Sequence, residues 1–294
     1  MSCSIIVYLC GGLGNQMFQY AAGRALALRC KAELLLNIAW YAAPKVNATP
    51  RQFSLNVFPN ACGKYVAEPW PEAGRLGARL MRRMRFALPF AIRGYVPEPS
   101  FNYWSGIQRV QAPAQILGFW QSEKYFEHAA QQIRADFAFS DLSGDAGLEV
   151  RNKIAVARHS ISVHVRMGDY VSNPSAAMHN IITPQYYSRA LRYFYENYGP
   201  CSLFLFSDEP DKAASFFDPH GHELTIVDTK AEAHYDMHLM SLCRHHIIAN
   251  SSFSWWGAWL GSNDGVTIAP SRWFAPANTT TADVCPASWL RMEP

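Results

Sequence analysis

With 294 residues, 49% of them hydrophobic, the chain can form one large or two medium-sized domains with true cores, which excludes a disordered protein. The formal net charge of +3 is too small to indicate a nucleic-acid partner, and the basic residues are not interleaved with aromatic ones as in single-strand binders. Seven scattered cysteines show no metal-ligand spacing, which predicts reduced structural thiols.

The start of the chain bears on where the protein works. Residues 1–5 lack the basic region of a secretory signal. The apolar run that follows is much shorter than the roughly 20 residues that a membrane-spanning helix needs. We therefore expect a cytoplasmic protein.

A strand, a glycine-rich turn and a helix are the first predicted elements. Residues 5–9 form an apolar run, residues 11–16 read Gly-Gly-Leu-Gly-Asn-Gln, and apolar residues then recur at helical spacing. The amides at the rim of this turn make Gly14, Asn15 and Gln16 candidate ligand-binding residues, although ordinary tight turns carry the same glycines. The spacing matches neither a P-loop nor the dinucleotide fingerprint, which argues against a simple NAD enzyme.

The region from about residue 40 to residue 115 is irregular, because prolines recur from Pro44 to Pro113 and predict loops and short helices. Within it, five arginines from Arg75 to Arg85 alternate with apolar residues, as in a basic amphipathic helix. Such a helix could lie on anionic lipid at the cytoplasmic face of the inner membrane, or hold an acidic acceptor. Alternatively, it simply exposes its arginines to solvent.

The second half of the chain alternates between predicted strands and helices. Helix-like stretches such as 184–198 and 235–244 separate strand-like runs at residues 161–165, 203–206, 224–227, 247–249 and 266–269. This alternation predicts an α/β fold, with a parallel sheet covered by helices on both faces. A polar stretch at residues 141–145 indicates a domain boundary in the region 140–155, so we assign residues 1–150 and 151–294 to two domains.

Polar side chains follow two of these predicted strands, at the end where open α/β sheets bind ligands. These side chains are His164, Arg166, Asp169, Ser207 and Asp208. A lone His164 would be typical of a core, but an arginine at the end of a buried strand needs an anion, either an internal carboxylate or a ligand phosphate. Ser207 and Asp208 could cap a helix or bind a ribose or base.

A third strand end leads into a helix rich in hydroxyl and aromatic side chains, since residues 251–260 read Ser-Ser-Phe-Ser-Trp-Trp-Gly-Ala-Trp-Leu. The unpaired N–H groups at a helix start carry a partial positive charge, so a phosphate can bind there. The candidate residues are Asn250, Ser251, Ser252, Phe253 and Ser254. We expect at least two of the three tryptophans to be core residues.

Taken together, five segments resemble the motifs of the α-1,2-fucosyltransferase family, the bacterial type of glycosyltransferase family eleven. They occur in order along the chain and are residues 11–20, 118–126, 164–170, 206–209 and 250–260. The region from about residue 40 to residue 115 shows little resemblance, which makes it a natural place for acceptor selection.

The resemblance implies a GT-B-like fold, in which two Rossmann-like domains face each other across a cleft and the last helix can pack back on the first domain. It implies an inverting enzyme that moves L-fucose from GDP-β-L-fucose to the 2-hydroxyl of a galactose in an oligosaccharide or a free or lipid-linked surface-polysaccharide precursor. Such enzymes need no metal or other cofactor, and the chain contains no Asp-x-Asp pair suited to Mg²⁺. Nor do the histidines at 234, 238, 245 and 246 complete a metal site.

The resemblance also implies roles for single residues. Arg166 would clamp the pyrophosphate, because a guanidinium offers a planar fork of donors with permanent charge. The hydroxyls of Ser251 and Ser252 and the N–H groups of Phe253 and Ser254 would hold the other phosphate oxygens. Members often carry a second arginine where this chain has Met167, so Arg166 would carry more of the charge.

Three further roles concern the rest of the donor and the chemistry. Asn15 would reach the donor from the first domain, and His164 and Asp208 would contact the nucleoside or shape its pocket. The predicted catalytic residues are Asn15, Arg166 and Asp169. Asp169 would act as the general base, although it could equally belong to a structural turn. Two alternatives stay open. The protein could be a transferase that uses another nucleotide sugar or another hydroxyl acceptor, or a glycan- or nucleotide-binding relative without catalysis.

Overall fold

The computed structural model of the protein describes residues 3–42, 50–68, 95–142, 144–167, 181–230, 232–262, 264–275 and 280–294. The basic stretch from Arg75 to Arg85 and the predicted base Asp169 lie outside the described residues. Within the described ranges, no helix is both long and apolar enough to cross a membrane.

The chain divides into two compact units, a first unit of Met1–Ala138 and a second unit of Phe139–Pro294. Residues 139–150, which the sequence-based boundary assigns to the first domain, therefore belong to the second unit. The reason is the helix Asp145–Val156, whose Val150 and Ile154 pack in a core cluster of the second unit. A boundary at residue 150 would cut through this helix.

The first unit contains a parallel sheet of five strands. The strands are Ser4–Tyr8 (β1), Glu33–Asn37 (β2), Lys64–Val66 (β3), Tyr95–Pro97 (β4) and Ala114–Leu117 (β5). Among its described residues, the helices are Leu13–Cys30 (α1) and Ala130–Asp136 (α2), with 3-10 turns at Ala39–Ala42, Leu55–Val57, Ser105–Arg109, Glu123–Tyr125 and Glu127–Ala129. The spatial order is β3-β2-β1-β5-β4, so the strand order reverses between β1 and β5. Ligands bind beyond the carboxyl ends of the strands at such a point.

Helix α1 is buried on most of its surface because it covers the central strand β1. Its apolar residues Phe18, Ala21 and Ala25 are fully buried. A Cβ atom on Gly23 would come within 2.1 Å of the Val7 side chain, so glycine allows the helix to approach the strand closely. This packing fixes the start of α1 at the carboxyl end of β1.

The second unit contains a parallel sheet of six strands. The strands are Ser160–Val165 (β6), Ser202–Ser207 (β7), Glu223–Ile226 (β8), His245–Ile247 (β9), Thr267–Pro270 (β10) and Leu290–Met292 (β11). The helices are Asp145–Val156 (α3), Pro184–Tyr198 (α4), Pro210–Ala214 (α5), Ala233–Leu242 (α6) and Ser252–Leu260 (α7). The spatial order β11-β10-β9-β6-β7-β8 is the order of the dinucleotide-binding Rossmann fold, with its reversal between β6 and β9.

Strand β7 shows why helices cover both faces of this sheet. Leu203 and Leu205 belong to one core cluster together with side chains of α4. Phe204 and Phe206 belong to another, which contains side chains of α3 and α6. Because successive side chains of a strand point to opposite faces, this uninterrupted apolar run needs a helical layer on each side. The predicted parallel sheet with two helical layers is confirmed.

One expectation about the fold is wrong. The region predicted to build loops and short helices also contains β3, β4 and β5, which are too short for a clear periodic pattern. Its prolines stand where strands tolerate them, since Pro97 ends the edge strand β4 and Pro113 directly precedes β5. The last described element of the chain is strand β11, which pairs with β10.

Candidate functional site

The carboxyl end of β6 carries an ion pair. Arg166 Nε lies 3.3 Å from Asp208 Oδ2, and the backbone N–H of Met167 donates to Asp208 Oδ1 at 2.9 Å. Asp208 therefore holds Arg166 and the backbone after β6 in position. Its carboxylate is not reserved for a nucleoside. Both side chains stay about one-quarter exposed, and a guanidinium has five N–H donors, so Arg166 can bind a further anion while paired.

His164 lies beside this pair and is buried. Burial, reinforced by the charge of Arg166 and opposed by Asp208, lowers the pKa of His164 to about 3. The imidazole is thus neutral near pH 7, and among the described residues its Nδ1 atom has no hydrogen-bond partner. Its ring lies 5.8 Å from the ring of Phe253 in the first turn of α7. The structure brings together the end of β6 and the start of α7, as the sequence predicts.

The start of α7 is held by its own side chains. The Ser251 hydroxyl caps the helix by accepting the N–H of Phe253 at 3.3 Å, and the buried Ser254 hydroxyl donates to the carbonyl of Ser251 at 3.3 Å. Asn250 Nδ2 donates to the carbonyl of Trp273 at 2.9 Å. These three side chains thus shape the turn, and a direct contact of these residues with the donor stays a prediction. The helix start itself, with Ser252 partly exposed, remains suited to an anion.

All three tryptophans of α7 are buried, as expected for core residues. Trp255 also donates its indole N–H to the carbonyl of Val284 at 2.8 Å. This anchoring fixes the axis of α7 and therefore the direction in which its first N–H groups point.

An acidic residue that the sequence analysis missed lies in the first turn of α6. Burial raises the pKa of Asp236 to about 6, the hydrogen bond from Thr229 at 3.0 Å opposes the shift, and Asp228 adds to it. The neighbouring Tyr235 packs against the same core cluster as Phe253. Thr229 belongs to the loop that follows β8, so Asp236 lies on the carboxyl side of that strand. Ser207, by contrast, accepts the N–H of Glu209 at 3.1 Å and closes a local turn.

The glycine-rich turn of the first unit surrounds Asn15. Gly11 has φ +77°, and a Cβ atom there would lie 2.6 Å from Asn15 Nδ2, so glycine is needed at this position. Gln121, in the loop after β5, donates through Nε2 to Asn15 Oδ1 at 2.9 Å. Within the described part of the chain, Asn15 Nδ2 makes no hydrogen bond, which leaves two N–H donors for a ligand.

The adjacent residues have structural roles. Gln16 is fully buried: its Nε2 donates to the carbonyls of Gly11 and Gln52, and its Oε1 accepts the N–H groups of Ser54 and Leu55. With all of its hydrogen-bonding capacity used, Gln16 cannot bind a donor, and this expectation is corrected. Gly14 is also buried, in the first turn of α1.

Glu98, which the sequence analysis also missed, follows the edge strand β4. Its carboxylate accepts the N–H of Phe119 at 2.7 Å and the N–H of Trp120 at 3.0 Å. Burial raises the pKa of Glu98 to about 7, against the lowering effect of these two hydrogen bonds. Such a carboxyl group can gain and lose a proton near neutral pH.

The described residues contain no cluster of three or more histidine, cysteine, aspartate or glutamate side chains that could hold a metal ion. All seven cysteines are free thiols. His245 and His246 are instead used within the fold, since His245 Nδ1 accepts the N–H of Val266 and His246 Nδ1 lies 2.8 Å from Ser162 Oγ.

The model of the family described as glycosyl transferase family 11 matches residues 110–293, which is more than half of the chain. The chain belongs to glycosyl transferase family 11. The part that matches the family 11 model contains β5, the loop with Gln121, and the whole constellation around Arg166. Asn15 and Glu98 precede it.

Curated relatives extend the similarity over the whole chain. An α-1,2-colitosyltransferase of Escherichia coli is 31% identical over 308 aligned residues, which cover 98% of this chain and 99% of that protein. The O-antigen biosynthesis glycosyltransferase WbnK of Escherichia coli is 30% identical and covers 97% and 99%. Human galactoside α-(1,2)-fucosyltransferase 1 is 24% identical over 52% of this chain and 45% of that protein.

Among solved structures, the fucosyltransferase NodZ from Bradyrhizobium is similar with a TM-score of 0.51 and 17% identity, over 89% of this chain and 94% of that chain. At this level of identity, the likeness shows the fold. The GT-B-like α/β fold with two Rossmann-like units, expected for this family 11 protein, is confirmed.

Proposed function

We propose that the protein is an inverting glycosyltransferase that moves L-fucose from GDP-β-L-fucose to the 2-hydroxyl of a galactose. The observation that carries the proposal is the positively charged edge of the second unit, where Arg166 and the start of α7 meet at the reversal of a Rossmann strand order. A nucleoside diphosphate is the anion that this arrangement fits best.

The diphosphate is held by protein groups in this proposal. Arg166 binds it with charge-assisted hydrogen bonds, and the N–H groups at the start of α7 and the Ser252 hydroxyl bind the remaining oxygens. His164, neutral and buried, adds a hydrogen bond without adding charge. The charge that develops on the departing GDP is thus stabilised without a metal ion. Full activity in the presence of EDTA is the expected outcome.

The nucleoside lies along the neighbouring strand ends. Guanine presents two N–H donors on its Watson–Crick edge, and the partly buried Asp236 carboxylate, bonded to Thr229 in the loop after β8, can accept both. Asp208 and Ser207 flank the ribose. This assignment predicts a preference for a guanine nucleotide.

The sugar and the linkage are inferred from the relatives. The colitosyltransferase and the human enzyme both carry α-1,2 transfer in their names, and the human one names a galactoside acceptor. The resemblance of the five motifs favours fucose. The whole-chain similarity to the colitosyltransferase favours a second candidate, transfer of colitose, a sugar that differs from fucose by lacking the 3-hydroxyl. The name of the O-antigen relative favours a surface-polysaccharide precursor, free or lipid-linked, as the acceptor.

The test is the release of GDP from GDP-fucose and from GDP-colitose, each with and without lactose or N-acetyllactosamine. Acceptor-dependent release with GDP-fucose and an α-1,2 linkage by NMR would establish the first candidate. A strong preference for GDP-colitose would establish the second. Binding of GDP-fucose without turnover on any galactoside would leave the donor site intact and show that the acceptor is a different glycan.

A further inference from the structure

We infer that Glu98 and the ring of Phe119 form the acceptor subsite, in which the Glu98 carboxylate takes the proton from the attacking hydroxyl. The inference rests on the proposed function and deepens it, because it names the group that activates the acceptor. Among the five segments that carry the resemblance, the one at residues 118–126 forms the loop whose N–H groups hold Glu98.

Glu98 is placed by pairing between the last two strands of the first unit. Its N–H donates to the carbonyl of Leu117 at 2.8 Å, which continues the β4–β5 ladder by one residue. Its carboxylate accepts hydrogen bonds from the N–H groups of Phe119 and Trp120, which follow in the same loop. The side chain is thereby fixed at the carboxyl edge of the sheet, where α/β folds bind ligands.

The loop after β5 is shaped to receive this carboxylate. A Cβ atom on Gly118 would lie 2.3 Å from Glu98 Cβ and 2.7 Å from Glu98 Oε2, so a larger residue would push the carboxylate away. Trp120 has φ +55°, an unusual value for a non-glycine residue, and is completely buried. The backbone thus adopts a strained conformation in which two successive N–H groups point to one carboxylate.

The carboxylate keeps room for a ligand. Two carboxylate oxygens can accept about four hydrogen bonds in total, and the backbone supplies one to each oxygen. The side chain is partly exposed. A sugar hydroxyl can therefore donate to Glu98 without displacing the backbone.

An aromatic surface lies beside it. Phe119 is 36% exposed, and its ring stacks on that of Phe101 with centroids 6.1 Å apart and planes at 9°. The face of an aromatic ring is electron-rich, so it attracts the C–H groups on one face of a pyranose such as galactose. A flat apolar surface next to a carboxylate, on neighbouring strand ends, fits a sugar whose hydroxyl must be held and deprotonated.

The same loop connects the subsite to Asn15. Gln121 is one residue beyond Trp120 and hydrogen-bonds to Asn15 Oδ1. Glu98 and Asn15 are thus joined through a single four-residue loop, at the reversal of strand order in the first unit. The residue predicted to reach the donor and the residue proposed to activate the acceptor belong to one constellation.

The transfer step balances with Glu98 as the base. The galactose 2-oxygen forms a bond to C1 of fucose while the bond from C1 to the β-phosphate oxygen breaks, and that electron pair leaves with GDP. The hydroxyl proton passes to the Glu98 carboxylate, which becomes a neutral acid. It returns the proton to water after the product has left.

The protonation state of Glu98 suits this step. Burial raises the pKa of Glu98 to about 7, and the hydrogen bonds from the N–H groups of Trp120 and Phe119 oppose this shift. No charged side chain of the loop after β5 adds to it. The base must be ionised to act, so transfer should rise with pH up to about 7 and then level off.

The test compares Glu98→Gln, Glu98→Asp and Phe119→Ala in transfer from GDP-fucose to lactose, from about pH 5.5 to about pH 9. We expect Glu98→Gln to lower kcat by about 10²- to 10⁴-fold, with the GDP affinity unchanged and the rise of rate with pH abolished. Glu98→Asp should restore part of the rate. Phe119→Ala should raise the KM for lactose about tenfold with little change in kcat.

Controls separate this role from a structural one. Glu127→Gln changes an exposed carboxylate on the same unit, and Tyr195→Ala removes an exposed ring on the second unit, and both should leave transfer unchanged. A Glu98→Gln variant with a wild-type kcat, or a wild-type enzyme without the rise near pH 7, overturns the inference. If Glu98→Gln does not fold, an unchanged lactose KM in Phe119→Ala overturns the subsite. A wild-type enzyme that uses GDP-colitose overturns the proposed donor alone, since any hydroxyl acceptor still needs the base.

Discussion

The carboxyl edges of the two sheets have opposite chemistry. The edge of the second unit carries an arginine, a helix N-terminus and a histidine kept neutral by burial, all of which suit an anion. The edge of the first unit carries amides, a carboxyl group with a pKa near neutrality and an exposed aromatic stack. The same parallel-sheet edge thus serves two purposes, and the residues that follow the strands decide which one.

The largest expected effect follows from removing the charge of the second unit. Arg166→Ala should lower transfer about 10³-fold and weaken GDP binding, because no fixed donor fork then stabilises the leaving diphosphate. Arg166→Lys keeps the positive charge but loses the fork of donors, so its transfer rate should lie between those of the wild type and Arg166→Ala. The measurements are steady-state transfer and calorimetric titration with GDP. Arg192→Ala, exposed on α4, is the control. Near-normal turnover in Arg166→Ala would remove the donor-site assignment.

The next largest effect is expected from Asn15 in the first unit. Asn15→Ala should lower kcat about 10²-fold with GDP affinity nearly unchanged, since the main diphosphate contacts are proposed to lie in the second unit. Gln121→Glu should be almost as harmful. A carboxylate can only accept from the Asn15 amide, so the amide would turn its Oδ1 outward.

The control for these variants is Gln131→Ala, at an exposed position on α2. A positioning role of Gln121 is identified by a lowered kcat together with an unchanged affinity for GDP. A Gln121→Glu enzyme with the wild-type kcat would show that the orientation of the Asn15 amide has no bearing on transfer.

Asn15 and Gln16 offer a matched comparison within the first unit. Gln16→Ala should lower the free energy of unfolding by about 3 kcal/mol, because it leaves two buried backbone N–H groups and two carbonyls without their partner. Asn15→Ala should leave stability almost unchanged. Denaturant unfolding measures both. A stable Gln16→Ala variant with weakened GDP binding would restore Gln16 as a donor ligand.

This pair also shows what the sequence can reveal. Two adjacent amides in a glycine-rich turn look equivalent in the sequence, and only the packing of α1 decides which one is buried. Strand β11 of the second unit was not predicted, whereas β6 to β10 were predictable because their apolar runs alternate with helices. Strands β3 and β4 were not, since three residues carry no clear period.

The candidate site residues also differ in how far the sequence predicts them. Arg166 was predictable because a charge at the end of an apolar run needs an explanation. Glu98 was not, because its properties come from N–H groups more than twenty residues away in the chain. Asp236 was missed because an acid in the first turn of a helix is common and usually serves the helix dipole.

The smallest expected effect tests the nucleoside end of the second unit. Asp236→Asn should weaken GDP binding about tenfold, because an amide cannot accept from both guanine donors. In the wild type, burial raises the pKa of Asp236 to about 6, so the carboxylate is protonated and GDP binding weakens as the pH falls through about 6. Calorimetric titration with GDP and ADP at several pH values measures both effects.

Glu223→Gln, at the amino end of β8, provides a matched carboxylate on the opposite edge of the same sheet and should change nothing. If Asp236→Asn binds GDP and ADP as the wild type does, the guanine contact lies elsewhere on this edge. The charge complementarity to the diphosphate would still hold, since Arg166 and α7 act on the phosphates independently of the base. The contrast between the two units would then depend on the phosphate contacts alone.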